Sequence, residues 1–183
     1  MSTEPKATAI PDVWELRGEP CLDSRGSFLN CFRSQDFDFA EVWGQRPILQ
    51  VNLSRTHDVG SVRGMHLQSA PHGEAKIVRC VRGCVWDVAV DLRPASSTFG
   101  KWHAVELSPQ QANALLIPEG CAHGFQVLVP DSELLYLHSG AWVKEAETGI
   151  HCCDPSLAIA WPLPPCGLSP RDQAMPMFVP QQT

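Results

Sequence analysis

Short apolar runs, each closed by Gly, Pro, Asp or Ser, recur along most of the chain, and this rhythm constrains its fold more than any other feature. The runs 48–53, 76–81 and 84–92 are followed by 103–107, 114–117, 124–129 and 133–138. All are of strand length and rich in Val, Ile and Leu. Arg82-Gly83, Arg93-Pro94, Pro118-Glu119-Gly120 and Pro130-Asp131 supply turns between them. In the run from Cys84 to Leu92 the polar members Asp87 and Asp91 fall on one face, as strand periodicity requires. Many short strands with little helical periodicity predict an all-β sandwich or barrel, with the double-sheet jelly roll as the natural candidate. Only residues 34–42 read as a short helix, and the Pro-rich tail from Pro162 reads as irregular.

With 183 residues and 44% hydrophobic content, the chain can bury one sizeable core but is short for two. A single domain over 1–183 is expected, with its core at about 20–178 and residues 1–11 flexible. The net charge of −6 comes with no basic run, which argues against a nucleic-acid partner. Any anionic ligand must then be held by a few placed cations. No stretch approaches the roughly 18 apolar residues of a membrane span, and Met1 to Pro11 has no signal-like apolar region. A soluble, cytoplasmic protein is expected. The eight cysteines include no C-x-x-C pair, so buried reduced thiols are a better reading than a disulfide framework or a zinc site.

Two histidines stand in contexts that read as a cupin pair. His66 follows Gly60 at the spacing of the cupin G-x5-H-x-H pattern, and His123 closes Pro118-Glu119-Gly120-Cys121-Ala122-His123, a P-x-G-x-x-H pattern. The fold class expected is therefore an all-β, cupin-type double-stranded β-helix, or jelly-roll sandwich, with short peripheral helices. Gln68 occupies the position of the second histidine. A neutral amide is a weak ligand, so His66, His123 and at most Glu74 make a poor metal site, and no metal is expected. Each histidine taken singly has the alternative reading of a hydrogen-bonded core or surface residue. Strand alternation gives His66 and Gln68 one facing, so an inward His66 shares a cavity with His123, joined by Lys76 if its strand pairs alongside. Imidazole, Lys76 and Arg63 converging in an apolar sandwich favour an anionic ligand. Tyr136, the one tyrosine, is either an amphipathic strand residue with its hydroxyl at the rim or a phenol able to donate a proton.

These residues, taken in order, resemble the dTDP-4-dehydrorhamnose 3,5-epimerases over about residues 20–178. The resemblance rests on Asp23-Ser24-Arg25-Gly26 with Phe28, Gln50-Val51-Asn52, Arg63-Gly64-Met65-His66 and the strand beginning at Lys76. It continues through Asp87 to Arg93, Ser97-Thr98-Phe99-Gly100, Ile117 to Phe125, Tyr136, Glu147, Asp154-Pro155, Trp161-Pro162 and Leu168-Ser169-Pro170-Arg171-Asp172. It implies an isomerase acting on a nucleotide-linked 4-keto-6-deoxyhexose, whose C3 and C5 protons are acidified by the ketone, so that no redox cofactor is needed.

By position, the resemblance makes His66 the base, Asp172 its orienting carboxylate, Lys76 the electrophile for the O4 enolate and Tyr136 the acid. It places Arg25, Phe28, Gln50, Asn52, Arg63, His123 and Glu147 against the substrate, and it implies a homodimer whose N-terminal region contributes across the interface. Two departures matter. Asn30 stands where the family usually has a glutamate, and Trp142 where it usually has a tyrosine. Both are expected to contact substrate. The competing readings are a mono-epimerase inverting C3 or C5 alone, a metal-dependent cupin, and a non-catalytic cupin module.

Overall fold

The computed structural model describes residues 4–33, 42–43 and 46–180. Thirteen strands, one 3₁₀ turn and one short helix are present among them. In chain order the strands are β1 (Glu4–Ala7), β2 (Trp14–Arg17), β3 (Cys21–Asp23), β4 (Gly26–Phe28), β5 (Gln50–Thr56), β6 (Val62–Gln68) and β7 (Lys76–Arg82). They continue with β8 (Val85–Asp91), β9 (Trp102–Leu107), β10 (Asn113–Ile117), β11 (Cys121–Val127), β12 (Ser132–His138) and β13 (Glu147–Gly149). The 3₁₀ turn is Lys144–Ala146, and the helix, α1, is Pro170–Gln173.

A six-stranded sheet in the order β1-β2-β10-β7-β12-β5 faces a five-stranded sheet in the order β13-β6-β11-β8-β9, and β3-β4 form a separate hairpin. This is the expected jelly-roll sandwich. Alternation along the strands sorts the side chains into layers. Val78, Cys80, Leu115, Ile117 and Leu134 from the larger sheet meet Val85, Ala89, Leu107, Phe125 and Val127 from the smaller one, forming the central core. The opposite side of β8 carries Val88 and Val90, which pack under Ile150, Cys152, Leu157 and Trp161 of the C-terminal segment. Because β8 is covered on both faces, it reads in sequence as a nearly unbroken apolar run.

Several local expectations are corrected. The segment read as flexible, 1–11, contains β1, which pairs antiparallel with β2. The tail beyond Pro162 is mostly irregular but carries α1, capped by Ser169, whose hydroxyl accepts the Asp172 backbone N–H, with Pro170 in the first turn. The tail is also pinned: the Gln126 amide donates to Leu163 O at 2.8 Å and accepts from Leu163 N–H at 3.0 Å. Of the helix expected over 34–42, all but Val42 lies outside the described residues. None of the cysteines is in a disulfide, but only Cys80, Cys121 and Cys152 are buried, while Cys21, Cys31, Cys153 and Cys166 are exposed.

Candidate active site

One cavity of about 920 Å³ opens between the two sheets, lined from β5, β6, β7, β11, β12, β13 and α1. His66 and His123 are direct cross-strand partners in the antiparallel β6-β11 pair. Glycine makes that pairing close. Gly64 sits at φ +128°, where side chains are strained, and a Cβ added there would overlap Gly124 on the facing strand. The register shifts between His123 and Phe125, re-aiming the side chains at the cavity. The glycines beside the two motif histidines therefore act as spacers for one another.

Asp172, buried on α1, stands 2.6 Å from His66 Nε2. With the proton on Nε2 donated to the carboxylate, Nδ1 is left as the basic nitrogen of the ring. Burial pushes Asp172 upward, but the hydrogen bond and charge of His66, the Ser169 cap and the Arg171 charge outweigh it and hold the carboxyl below its usual range. Arg171 Nη2 lies 3.2 Å from the same imidazole nitrogen, a contact between like donors once Nε2–H points at Asp172, and its Nη1 pairs with Glu147 at 2.6 Å. Arg171 is half exposed, so solvent screens its opposition to a charged imidazole, whereas Asp172 acts from a buried position.

Lys76 projects from the start of β7 and pairs with Glu74 at 3.3 Å, with side chains only 8% and 7% exposed. Burial raises Glu74, but His138 and Lys76 together leave it lowered. His123 Nε2 lies 2.8 Å from Asp87, which is fully buried on β8 and whose carboxyl is raised by that burial against the pull of His123. Tyr136 stands edge-on to His123 and stacked on His138, both at 5.9 Å between ring centres. Burial drives its phenol above the usual value, and its oxygen lies 3.4 Å from Ser54 Oγ.

The cavity thus gathers His66, Asp172, Lys76 and Tyr136, together with Gln50, Asn52, Arg63, His123, Trp142 and Glu147. It does not gather Arg25, Phe28 or Asn30. Arg25 and Phe28 lie on the β3-β4 hairpin, which lines a separate small pocket, and Arg25 is turned onto Asp23 in a local ion pair. The Asn30 side chain accepts the Phe32 backbone N–H. These three are exposed or half-exposed because their hairpin pairs with neither main sheet.

Sequence reading gave no role to Asp87, His138, Arg171 or Ser54, and treated Glu74 only as a weak ligand. Asp87 was legible as a charge on an apolar strand. Ser54, His138 and Glu74 come together through the β5-β12-β7 register, and Arg171 arrives with α1 from the tail. The side chains at the cupin ligand positions already have protein partners: His66 has Asp172, His123 has Asp87, and Gln68 Nε2 shares its two hydrogens among Glu74, His72 O and Ala141 O while Oε1 accepts the Val143 N–H. Outside the cavity, His151, Cys152 and Cys153 bring potential ligand atoms within 4.8 Å of one another in the turn after β13. There His151 Nδ1 accepts the Cys153 backbone N–H.

The profile described as dTDP-4-dehydrorhamnose 3,5-epimerase matches residues 7–179. The chain belongs to this epimerase family. A dTDP-4-dehydrorhamnose 3-epimerase of Streptomyces niveus is 44% identical over 90% of this chain and 78% of its own. A dTDP-4-dehydrorhamnose 3,5-epimerase of Shigella flexneri is 42% identical over 90% of each. Among solved structures, a dTDP-6-deoxy-D-glucose-3,5-epimerase of Legionella pneumophila in complex with dTDP-4-keto-L-rhamnose superposes with a TM-score of 0.88 at 36% identity, covering 96% of this chain and 92% of that one. The isomerase class and the sandwich fold expected from sequence are those of the family.

Proposed function

We propose that the chain epimerises a dTDP-linked 4-keto-6-deoxyglucose at C3 and C5 to give dTDP-4-dehydro-L-rhamnose, by proton transfer without a redox cofactor. The observation that carries this reading is the His66–Asp172 pair, 2.6 Å apart, facing a cavity that also holds Lys76 and Tyr136. The C4 ketone acidifies the protons on both neighbouring carbons. His66 removes one through Nδ1 while Asp172 stabilises the imidazolium that forms. The electrons move to O4, where the Lys76 ammonium stabilises the enolate in a water-poor site. Tyr136, the phenol lining the same cavity, returns a proton from the other face. The relative in complex with dTDP-4-keto-L-rhamnose supports the substrate class. Gln50, Asn52, Arg63, His123, Trp142 and Glu147 bind it, with Arg63 suited to pyrophosphate oxygens. Incubating the protein with the 4-keto sugar nucleotide and resolving the products by NMR tests the assignment, and unchanged starting material at high enzyme would refute it.

A second reading, inversion at C3 alone, is favoured by the Streptomyces niveus relative, which is named as a 3-epimerase. The position of solvent-derived deuterium separates the two.

The working form is a homodimer in the cytoplasm. Among the described residues, no helix is long and apolar enough to cross a membrane. β5 is an edge strand with Val51 and Leu53 exposed, and the hairpin exposes Leu22 and Phe28 at 78% and 67%. An exposed apolar edge strand and an unanchored apolar hairpin are each stabilised by a second copy. In that arrangement Arg25, Phe28 and Asn30 reach the partner's cavity, which gives these three their substrate role. Sedimentation equilibrium yielding a monomer at micromolar concentration would exclude this form.

A further inference from the structure

Five side chains, and one backbone N–H, form a polar chain across the cavity, and its direction is fixed at one end. The Trp142 backbone N–H donates to Gln50 Oε1 at 2.9 Å, which orients that amide. Gln50 Nε2 therefore faces Asn52 Oδ1, at 3.0 Å, and donates to it. The Asn52 amide nitrogen is then the group that meets His138 Nε2, at 3.4 Å, so Nε2 must accept. The ring proton is left on Nδ1, which is buried and lies 3.3 Å from Glu74 Oε2. The geometry falls short of a hydrogen bond, and no described polar atom bonds Nδ1, so the Glu74 carboxylate at 3.3 Å is the acceptor this N–H faces. The other oxygen of Glu74 holds Lys76.

We propose that His138 and Glu74 are positioning residues that link the substrate-binding amides Gln50 and Asn52 to the ammonium of Lys76, with His138 as its Nδ1–H tautomer. Each link has a donor on one side and an acceptor on the other. Glu74 ends the chain because a carboxylate accepts from both neighbours, which also keeps the ammonium in place. Gln68 braces this end by donating to Glu74 Oε2 at 3.2 Å, and Tyr136 stacks on the His138 ring, so the ring cannot turn freely. A sugar that engages Gln50 or Asn52 is thereby registered against the cation that meets its C4 oxygen. The proposal rests on the electrophile role given above to Lys76.

The first test requires no turnover. The 15N spectrum of selectively labelled protein at neutral pH is expected to show His138, assigned by its loss in His138→Gln, as the Nδ1–H tautomer. An Nε2–H tautomer or an imidazolium at that position would overturn the assignment. The second test is kinetic. His138→Leu is expected to lower kcat at least about tenfold while KM stays within about threefold, because the cation is misplaced in the transition state more than in the ground state. His138→Gln, whose amide can accept from Asn52 and donate to Glu74, is expected to regain most of that loss. Equal impairment in the two variants, or a change confined to KM, would remove the relay. Lys76→Met separates this from the site reading: wild-type turnover in that variant would remove the electrophile itself, whereas the tautomer measurement is independent of it.

Discussion

Replacing Asp172 by asparagine removes the charge from the His66–Asp172 pair while nearly preserving its shape. The helix cap survives, because Ser169 Oγ accepts the backbone N–H of residue 172 and not its side chain. The bond that is lost is short and charge-assisted, at 2.6 Å with the carboxylate side chain only 4% exposed. Hydrogen bonds to charged groups are worth about 1.5–3 kcal/mol, and about 1.4 kcal/mol is tenfold in rate, so proton abstraction should slow by roughly 10- to 150-fold. If the new amide presents its NH2 to Nε2, the ring proton moves to Nδ1 and the base is lost, which makes this range a lower limit. The neighbouring Arg171 offers no substitute, since it would meet the imidazolium with like charge. The assay is the rate of solvent deuterium entering the sugar, followed by mass spectrometry, alongside calorimetric titration with dTDP. The expected result is a 10-fold or greater loss of exchange with dTDP affinity within about threefold. Exchange within twofold of wild type would refute the argument that Asp172 supports His66.

Asp91 accepts from the Arg93 guanidinium and from the Ser96 and Thr98 hydroxyls, which outweigh its burial and lower its pKa to about 2. Its stabilisation is fully present above about pH 4 and is lost as pH falls toward 2. Asp91→Asn should therefore cost about 1–2 kcal/mol in urea melts at pH 7, the lower figure allowing for solvent screening, with the gap closing near pH 2. Gly124→Ala would set a Cβ 2.6 Å from Met65 Sδ and 2.8 Å from Arg63 O, so it should destabilise by about 2 kcal/mol or more and slow exchange by parting His66 from His123; an unchanged thermal midpoint would contradict the spacer role. Burial pushes the thiols of Cys80, Cys121 and Cys152 up to about 12, so in native protein a maleimide should label Cys31, Cys153 and Cys166 and spare those three until urea is added.

β5 and β7 to β12 were legible because their apolar runs are bounded by turn residues, β6 only through its histidine motif, and the shared facing of Asp87 and Asp91 followed from alternation alone. β2 was missed because Trp14-Glu15-Leu16-Arg17 is too short to show a period, and it is a strand because it pairs antiparallel with β10, where Leu16 clusters with Ala114 and Leu116. The single turn of α1 had a readable signal, Ser169 before Pro170, which was submerged in a proline-rich tail. Within the site, His66 and His123 were visible as motifs, but the carboxylates that complete them arrive from 106 and 36 positions away. Such partners depend on strand register and on how the tail is pinned, neither of which a linear pattern encodes. The Arg25, Phe28 and Asn30 positions show the converse: they are readable by resemblance, yet a single chain does not bring them to the cavity.

The most direct test of the account is the reaction in D2O with dTDP-4-keto-6-deoxyglucose, the recovered sugar being analysed by mass spectrometry and proton NMR. The account predicts deuterium at both C3 and C5, a product two mass units heavier through exchange, inverted at both carbons, with incorporation lost in His66→Ala. Deuterium at C3 alone would make the protein a mono-epimerase, and wild-type incorporation by His66→Ala would contradict the mechanism at its first step.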